Sequence, residues 1–492
     1  MAKNTPVDAV HATERSMQPM WNTLCERILA VEAPGGSVER LSIVAPSIVR
    51  PDEPFSIRLA ALDAKAYPSV VCGAAARPAD GPAPDLPEVQ FAAGHPAVGT
   101  IEGARIADEG WHRLQFELEG RSFVSNPIHC SADAPRIFWG DPHVHTVISD
   151  CHPTQCRSLE FCFVGARFMT GLDWVTAADH VSNGRCTVGK WEAQRRAARV
   201  FDDPGHFAAL LGYEASLKGG AGGDNNVYCR GDLEEFVDHY EEGDARTLAG
   251  ALPDDCFVVP HHTTRTGKHG ELSDEIYPGP DRMPVMEVHS KWGTSEFRGN
   301  PCELQKTHDG PCFAQDLLAQ GYPLGFIAGT DTHATMPSSY GDDSKQLHGK
   351  PGMTAVRADE LTHEAVFDAI AARDCYGASD ERIIIEESMA GGRMGRVVDW
   401  SEATGPVMIG AEIATRTDLE RVDVVRNGAN VHTVTPDDDT WRATVDFADD
   451  ADLSAVAYDP AGWFDRPFVY YYLRVTCESG ARAWSSPIWL TL

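Results

Sequence analysis

The hydrophobic pattern changes character twice along the chain. From Leu41 to about Ala134, short alternating runs such as LSIVA, FSIRLAAL, WHRLQFEL and SFVSNPI are separated by Pro, Gly and Asp. Side chains alternate faces along a strand, so these runs predict many short half-buried strands joined by turns, a β-sandwich. From Ile137 to about Ser379 the runs IFWGDPHVH, DWVTAADH, FAALLGYEAS, FVVPHH, PVMEVHS and LGFIAGTDTH each pass from apolar to polar residues. Amphipathic segments such as RSLEFCFVGARFMT, KWEAQRRAARVF, DARTLAGAL, CFAQDLLAQ and THEAVFDAIAARD lie between or after them. Strands alternating with helices predict a parallel α/β sheet or barrel. After Arg382 a Gly-rich turn, MAGGRMG, leads to VMIGAEI, RVDVVRNG, WRATVDF, YYYLRVT and AWSSPIWL, which predict a second β-sandwich packed on the barrel. The expected division is residues 1–135 for a polar leader, with one helix around Met20 to Val31, and the first sandwich. Residues 136–381 form the barrel and 382–492 the second sandwich.

Nearly every strand of the middle segment ends in His, Asp or Glu: His143, His145, Asp150, Asp179, His180, Glu214, Asp224, His261, His262, Glu287, His289, Asp331 and His333. In a βα barrel the C-terminal strand ends form one rim, so residues distant in the chain would converge there. His143 and His145, two apart on a strand, share a face. Imidazoles and carboxylates without a thiolate cluster suit Zn, Mn or Fe in a hydrolytic site better than a closed structural zinc.

At 492 residues, 42% hydrophobic and 23% charged, the chain reads as globular with two or three domains. The N-terminus lacks the basic flank and apolar run of a secretory signal, and no apolar stretch is long enough to span a bilayer, so a cytoplasmic location is expected. A net charge of -31 argues against nucleic-acid and anionic-membrane partners. A small anionic substrate stays compatible with it, because bound divalent cations reverse the local field. The thirteen cysteines show no CxxC pair and read as reduced thiols. Cys151, Cys156 and Cys162, which crowd just after the first histidines, are expected as core thiols or as supports beside the ligands, with metal ligation or redox sensitivity as the alternative.

The ordered motifs HVHTVISD, AADH, GYE, PHH, EVHS and GTDTH resemble those of the PHP (polymerase and histidinol phosphatase-like) superfamily of metal-dependent hydrolases. GDPHVHT, LLGYEAS, VMEVHSKWGTSE, GFIAGTDTHATMP, AVFDAIAARDCYGASDERI and AWSSPIWL resemble, more narrowly, a PHP-like family classed as a domain of unknown function. The resemblance implies a distorted (β/α)7 PHP-type barrel, here flanked by N- and C-terminal β-sandwich-like domains, with two or three divalent metal ions (Zn, Mn or Fe) at its rim. It implies a first ion on His143, His145, Glu214 and Asp331, and a second on Asp150, His180 and His333. A third would share Glu214 and use His261, with His262 as the alternative. Two positions depart from the pattern. Asp224 stands where His is common, and His289 where an aromatic residue is more usual. Asp141 and Asp179 are expected to orient ligating imidazoles, Arg265 and Lys268 to clamp an anionic substrate, and Trp292 and Glu296 to line the pocket.

The resemblance implies hydrolysis of a small-molecule phosphate ester by metal-activated hydroxide, with His262 or His289 protonating the leaving group. The alternatives are a carboxylic ester, lactone or amide on the same metals, or a non-catalytic glycan- or partner-binding protein. Oligomerisation stays open.

Overall fold

The computed structural model describes residues 23–492 except 84, 153, 218–223, 242, 266–271, 305–306, 308, 342, 344–348, 404 and 437–438. Of the expected leader helix, residues 23–32 are helical and the start lies outside the described residues, as does Lys268. The N-terminal part is β-sandwich-like. Arg40–Val44, Phe55–Leu62 and Val98–Ala104 pair antiparallel, and Gln115–Leu118 pairs between Ala75–Pro78 and Arg121–Val124. Burial alternates along Arg40–Val44 and Gln115–Leu118, and the inward residues Leu41, Ile43, Phe116 and Leu118 share one core with Ile57 and Leu59. The pattern that predicted these strands is therefore the pattern that buries them.

In the middle segment each of the six apolar runs contains a strand: Ile137–Val144, Trp174–Ala177, Leu211–Ala215, Cys256–His261, Val285–Ser290 and Gly325–Ala328. The amphipathic segments contain helices. Val188–Phe201 is capped by the Thr187 side chain and buries Trp191, Gln194, Ala198 and Phe201, the spacing of one helical face. The expected (β/α)7 barrel is not the architecture, however. Strands hold 37% of the described residues and helices 14%, and the strands divide among seven sheets, none of which is a closed parallel ring. Two strands outside the βα alternation account for the difference. Asp224–Cys229 runs antiparallel between Leu211–Ala215 and Cys256–His261. Gly352–Arg357 lies antiparallel against Ile137–Val144, whose other neighbour, Trp174–Ala177, is parallel.

From there an eleven-stranded sheet continues through Cys375–Ser379 to Arg482–Ser485, Phe468–Cys477, Leu419–Arg426 and Ala429–Val434. The sheet thus crosses residue 382. Every residue of Phe468–Cys477 is buried. A further sheet, of Ile384–Met389, Val407–Ala414 and Arg442–Asp449, is joined to the middle segment by a buried ion pair between Arg357 and Glu387. Among the described residues no helix is long and apolar enough to cross a membrane.

Candidate metal centre

The site starts at the end of strand Ile137–Val144. Gly140 lets that strand lie against the buried Trp174 ring, where a Cβ would come within 2.1 Å of Cδ2. Three residues later the chain presents His143 and His145. The GTDTH segment docks directly on them: Asp331 N donates to His143 O at 2.8 Å and His145 N to Thr332 O at 3.1 Å. A parallel bridge between His180 and Glu214 brings in two more strand ends. Asp331 and His262 sit in the left-handed region, at φ 51° and 55°. That conformation is uncommon for residues with a Cβ and is held here by the packed surroundings.

Glu214 and Asp331 form the acidic centre. Glu214 Oε2 lies 2.9 Å from His180 Nδ1, 3.2 Å from His145 Nε2 and 3.6 Å from His143 Nε2, and its Oε1 is 3.3 Å from His261 Nε2. Asp331 Oδ1 lies 3.1 Å from His145 Nε2, 3.7 Å from His143 Nε2 and 3.6 Å from His333 Nδ1, and its Oδ2 is 3.3 Å from His262 Nε2. Despite this proximity, Glu214 Oε2, His143 Nε2, His180 Nδ1 and His261 Nε2 are buried without a hydrogen bond of acceptable geometry. Buried polar atoms are rarely left so. Atoms this close that do not point at one another point at shared space between them, as the ligands of a cation do. Ligand atoms of His143, His145 and Glu214 fall within 4.8 Å of one another, as do those of Asp224, His261 and His262. The residues present fit divalent metals.

The outer hydrogen bonds select the tautomer a metal needs. His143 Nδ1 donates to Glu287 Oε2 at 3.0 Å, leaving Nε2 as the lone pair facing the carboxylates. Ser149 Oγ donates to Asp179 Oδ1 at 2.6 Å and so accepts from His145 Nδ1 at 3.0 Å, which turns Nε2 toward Asp331 Oδ1, 3.1 Å away. Asp141 ties the GTDTH segment down by accepting from Thr330 N, Thr330 Oγ1 and Ser338 N, at 3.0, 2.6 and 2.9 Å. Burial raises the Asp141 carboxyl to about 6 against those bonds.

The field of the site favours positive charge. Burial opposes protonation of His145, yet the Asp331 and Glu214 carboxylates beside it lift it to about 10. Burial likewise opposes protonation of His180, and the Glu214 charge lifts it to about 9. Glu214 and Asp331 are held well below the usual carboxylate range by the surrounding imidazoles, against the effect of burial. Asp224 is raised to about 6 by burial and by Glu214. His333 is held far down by burial, His145 and Lys291, in the neutral form a ligand requires.

Three expected residues are placed elsewhere. Asp150 is at the mouth, its side chain 61% exposed and paired with Lys190. His289 is outside the pocket. Its Nε2 donates to Lys350 O and its Nδ1 accepts from Thr294 Oγ1, both at 2.8 Å, and its ring stacks on Trp484. Burial drops it to about 4, so it has no free nitrogen with which to serve as a proton donor. Glu296 faces the C-terminal strands, accepting from Arg474 Nε and Trp484 Nε1 at 2.7 Å and from Tyr472. Trp292 and Arg265 do line the pocket, with the guanidinium 5.0 Å over the indole ring. The sequence reading missed Lys291. It is fully buried, 2.6 Å from Asp343 Oδ2 and 3.0 Å from His333 Nδ1. Its adjacency to the EVHS motif was the signal available.

The pocket over this centre has a volume of about 520 Å³ and is lined by Asp150, Cys151, His152, His180, Ser182, Asn183, Arg185, Glu214, Ser216, Asp224, Tyr240, His262, Arg265, Trp292, Asp331 and His333. That volume is in the range of small-molecule sites.

No family model matches the sequence. An uncharacterized protein of Chlamydia pneumoniae is 28% identical over 400 residues, and one of Chlamydia muridarum is 30% identical over 404 residues. Each alignment takes in 78% of this chain and 63% of the relative. Among solved structures, a Bacteroides uniformis beta-glucuronidase aligns over 92% of this chain and 60% of its own, at 9% identity and a TM-score of 0.20. A Salmonella alpha-2-macroglobulin reacted with methylamine aligns over 93% and 24%, at 7% identity and a TM-score of 0.15. At those scores neither bears on the fold. This chain therefore spans somewhat under two thirds of the length of the curated relatives it matches.

Proposed function

We propose that this protein is a metal-dependent hydrolase acting on a small-molecule phosphate ester. The observation that carries the reading is the convergence of His143, His145, His180, His261, Glu214 and Asp331, in which Glu214 Oε2 and its neighbours His143 Nε2, His180 Nδ1 and His261 Nε2 are buried at close range yet wrongly directed for hydrogen bonds. The ordered strand-end motifs that resemble PHP hydrolases support it from the sequence side. Divalent ions bound there would acidify a water and polarise the scissile bond.

The chain's own residues supply the rest. Arg265, held over Trp292, and Arg185 line the mouth and offer charge to an anionic substrate, which favours phosphate over a neutral ester. His262, expected to protonate the leaving group, lines the pocket 3.3 Å from Asp331 Oδ2, and burial lowers its pKa, so that it gives up a proton readily. Buried walls keep bulk water from the carboxylates, which strengthens each charge interaction.

The test is turnover by Mn- or Zn-reconstituted protein on chromogenic phosphomonoester, phosphodiester and carboxylic ester substrates, each with a chelator control. Chelator-sensitive cleavage of a phosphate substrate is expected, and its loss in His143→Ala. Cleavage of the carboxylic ester alone would move the assignment to that bond, and full activity in His143→Ala at normal metal loading would sink it.

A further inference from the structure

The ligand expected from the HVHTVISD motif is not the one the fold delivers. Asp150 closes the short 3-10 turn Val147–Ser149 in the left-handed region at φ 55°. That reversal sends its carboxylate outward to Lys190, whose ammonium is also anchored on Ile148 O and Arg185 O at 2.9 Å each. The next residue turns inward instead. Cys151 Sγ, together with ligand atoms of His145, His180 and His333, forms a group whose members all lie within 4.8 Å of one another.

His145 cannot serve two ions through one nitrogen. Its Nδ1 is taken by Ser149, and its Nε2 already faces Glu214 and Asp331. The carboxylate-rich half is therefore centred on His143, His145, Glu214 and Asp331, and Cys151, His180 and His333 make a second half that adjoins it where His180 Nδ1 lies 2.9 Å from Glu214 Oε2. The neighbouring thiol, Cys156, bonds to His333 O at 3.1 Å, so it serves the backbone of this second half.

We propose that Cys151 is a thiolate ligand and that the Cys151, His180, His333 half selects a zinc-class ion over manganese or magnesium. This rests on the reading of the pocket as a metal centre. A thiolate with two imidazoles is a soft donor set that suits zinc, whereas oxygen-rich sets suit the harder ions.

The experiment is cobalt(II) titration of the full-length protein after metal removal, followed by absorption spectroscopy, because a thiolate on cobalt gives an intense near-ultraviolet charge-transfer band that nitrogen and oxygen donors do not. The band is expected in the wild type and in the Asp150→Asn and Cys156→Ser variants, and absent in Cys151→Ser. Zinc binding to the second half should weaken in Cys151→Ser by more than the roughly 10–100-fold typical of removing an outer hydrogen-bond partner. Circular dichroism checks that this variant is folded. The wild-type spectrum tests the proposal whatever the variant does, since cobalt bound without a thiolate band overturns it. Persistence of the band in folded Cys151→Ser overturns it too. Failure of the wild type to take up any cobalt removes the metal-centre reading itself, a result distinguishable from both.

Discussion

Glu287 shows how one side chain tunes another. Its Oε2 accepts from His143 Nδ1 at 3.0 Å, with both side chains essentially inaccessible to solvent. The carboxylate fixes the ring and its tautomer, and through them the direction of the Nε2 lone pair. Glu287→Gln preserves size and removes that charge. It should lower metal affinity roughly 10- to 100-fold while leaving the fold intact, measured by competition with a chromogenic chelator. Unchanged affinity would show that His143 is positioned by packing alone. His143, His145, Asp331 and His333 were legible as a candidate ligand set from their types and two-residue spacing, and the fold brings them together. The exchange of Asp150 for Cys151 was not legible. It depends on a left-handed backbone at one position, and nothing in the side-chain pattern of ISDCH encodes which neighbour turns inward. His289 reads as another strand-end histidine, and only its two occupied nitrogens show otherwise.

At the level of elements, the strand that carries the first two histidines is positioned by close approach. Gly140 has the Trp174 indole where a methyl group would go, and that ring is wholly buried and further held by a 3.4 Å bond from Nε1 to Phe138 O. Gly140→Ala must push strand or ring aside. It should cost about 1–3 kcal/mol, the usual range for overpacking, seen as a lower denaturant midpoint. Stability equal to the wild type would mean that the two strands separate freely. Which segments would be strands was readable from the apolar runs, but their partners were not. GMTAVR and DNNVYC lie between two neighbours each, and all or nearly all of their residues are buried. A strand covered on both faces shows no alternation to mark it. Without those two antiparallel strands the remaining pattern resembles a βα barrel.

Across the whole molecule, the eleven-stranded sheet decides what can come apart. Cys375–Ser379 has Gly352–Arg357 on one side and Arg482–Ser485 on the other, and Glu296 reaches from the middle segment into Arg474 and Trp484. Calorimetry should therefore show the middle and C-terminal segments melting in one transition, and saturating zinc should raise the temperature of that transition for both. At a hundredfold excess over its dissociation constant, a bound ligand adds about 2.7 kcal/mol to whatever unfolds with its site. Two separate transitions, only one of them moved by zinc, would show that the ladder does not couple the segments. The continuous ladder also has a mechanical consequence. Tension applied at Phe468–Cys477 passes along hydrogen-bonded strands to Ile137–Val144, so the floor beneath His143 is braced by the far side of the protein. A force that pulls the C-terminal strands away loads the pocket floor before it reaches the loops at the rim.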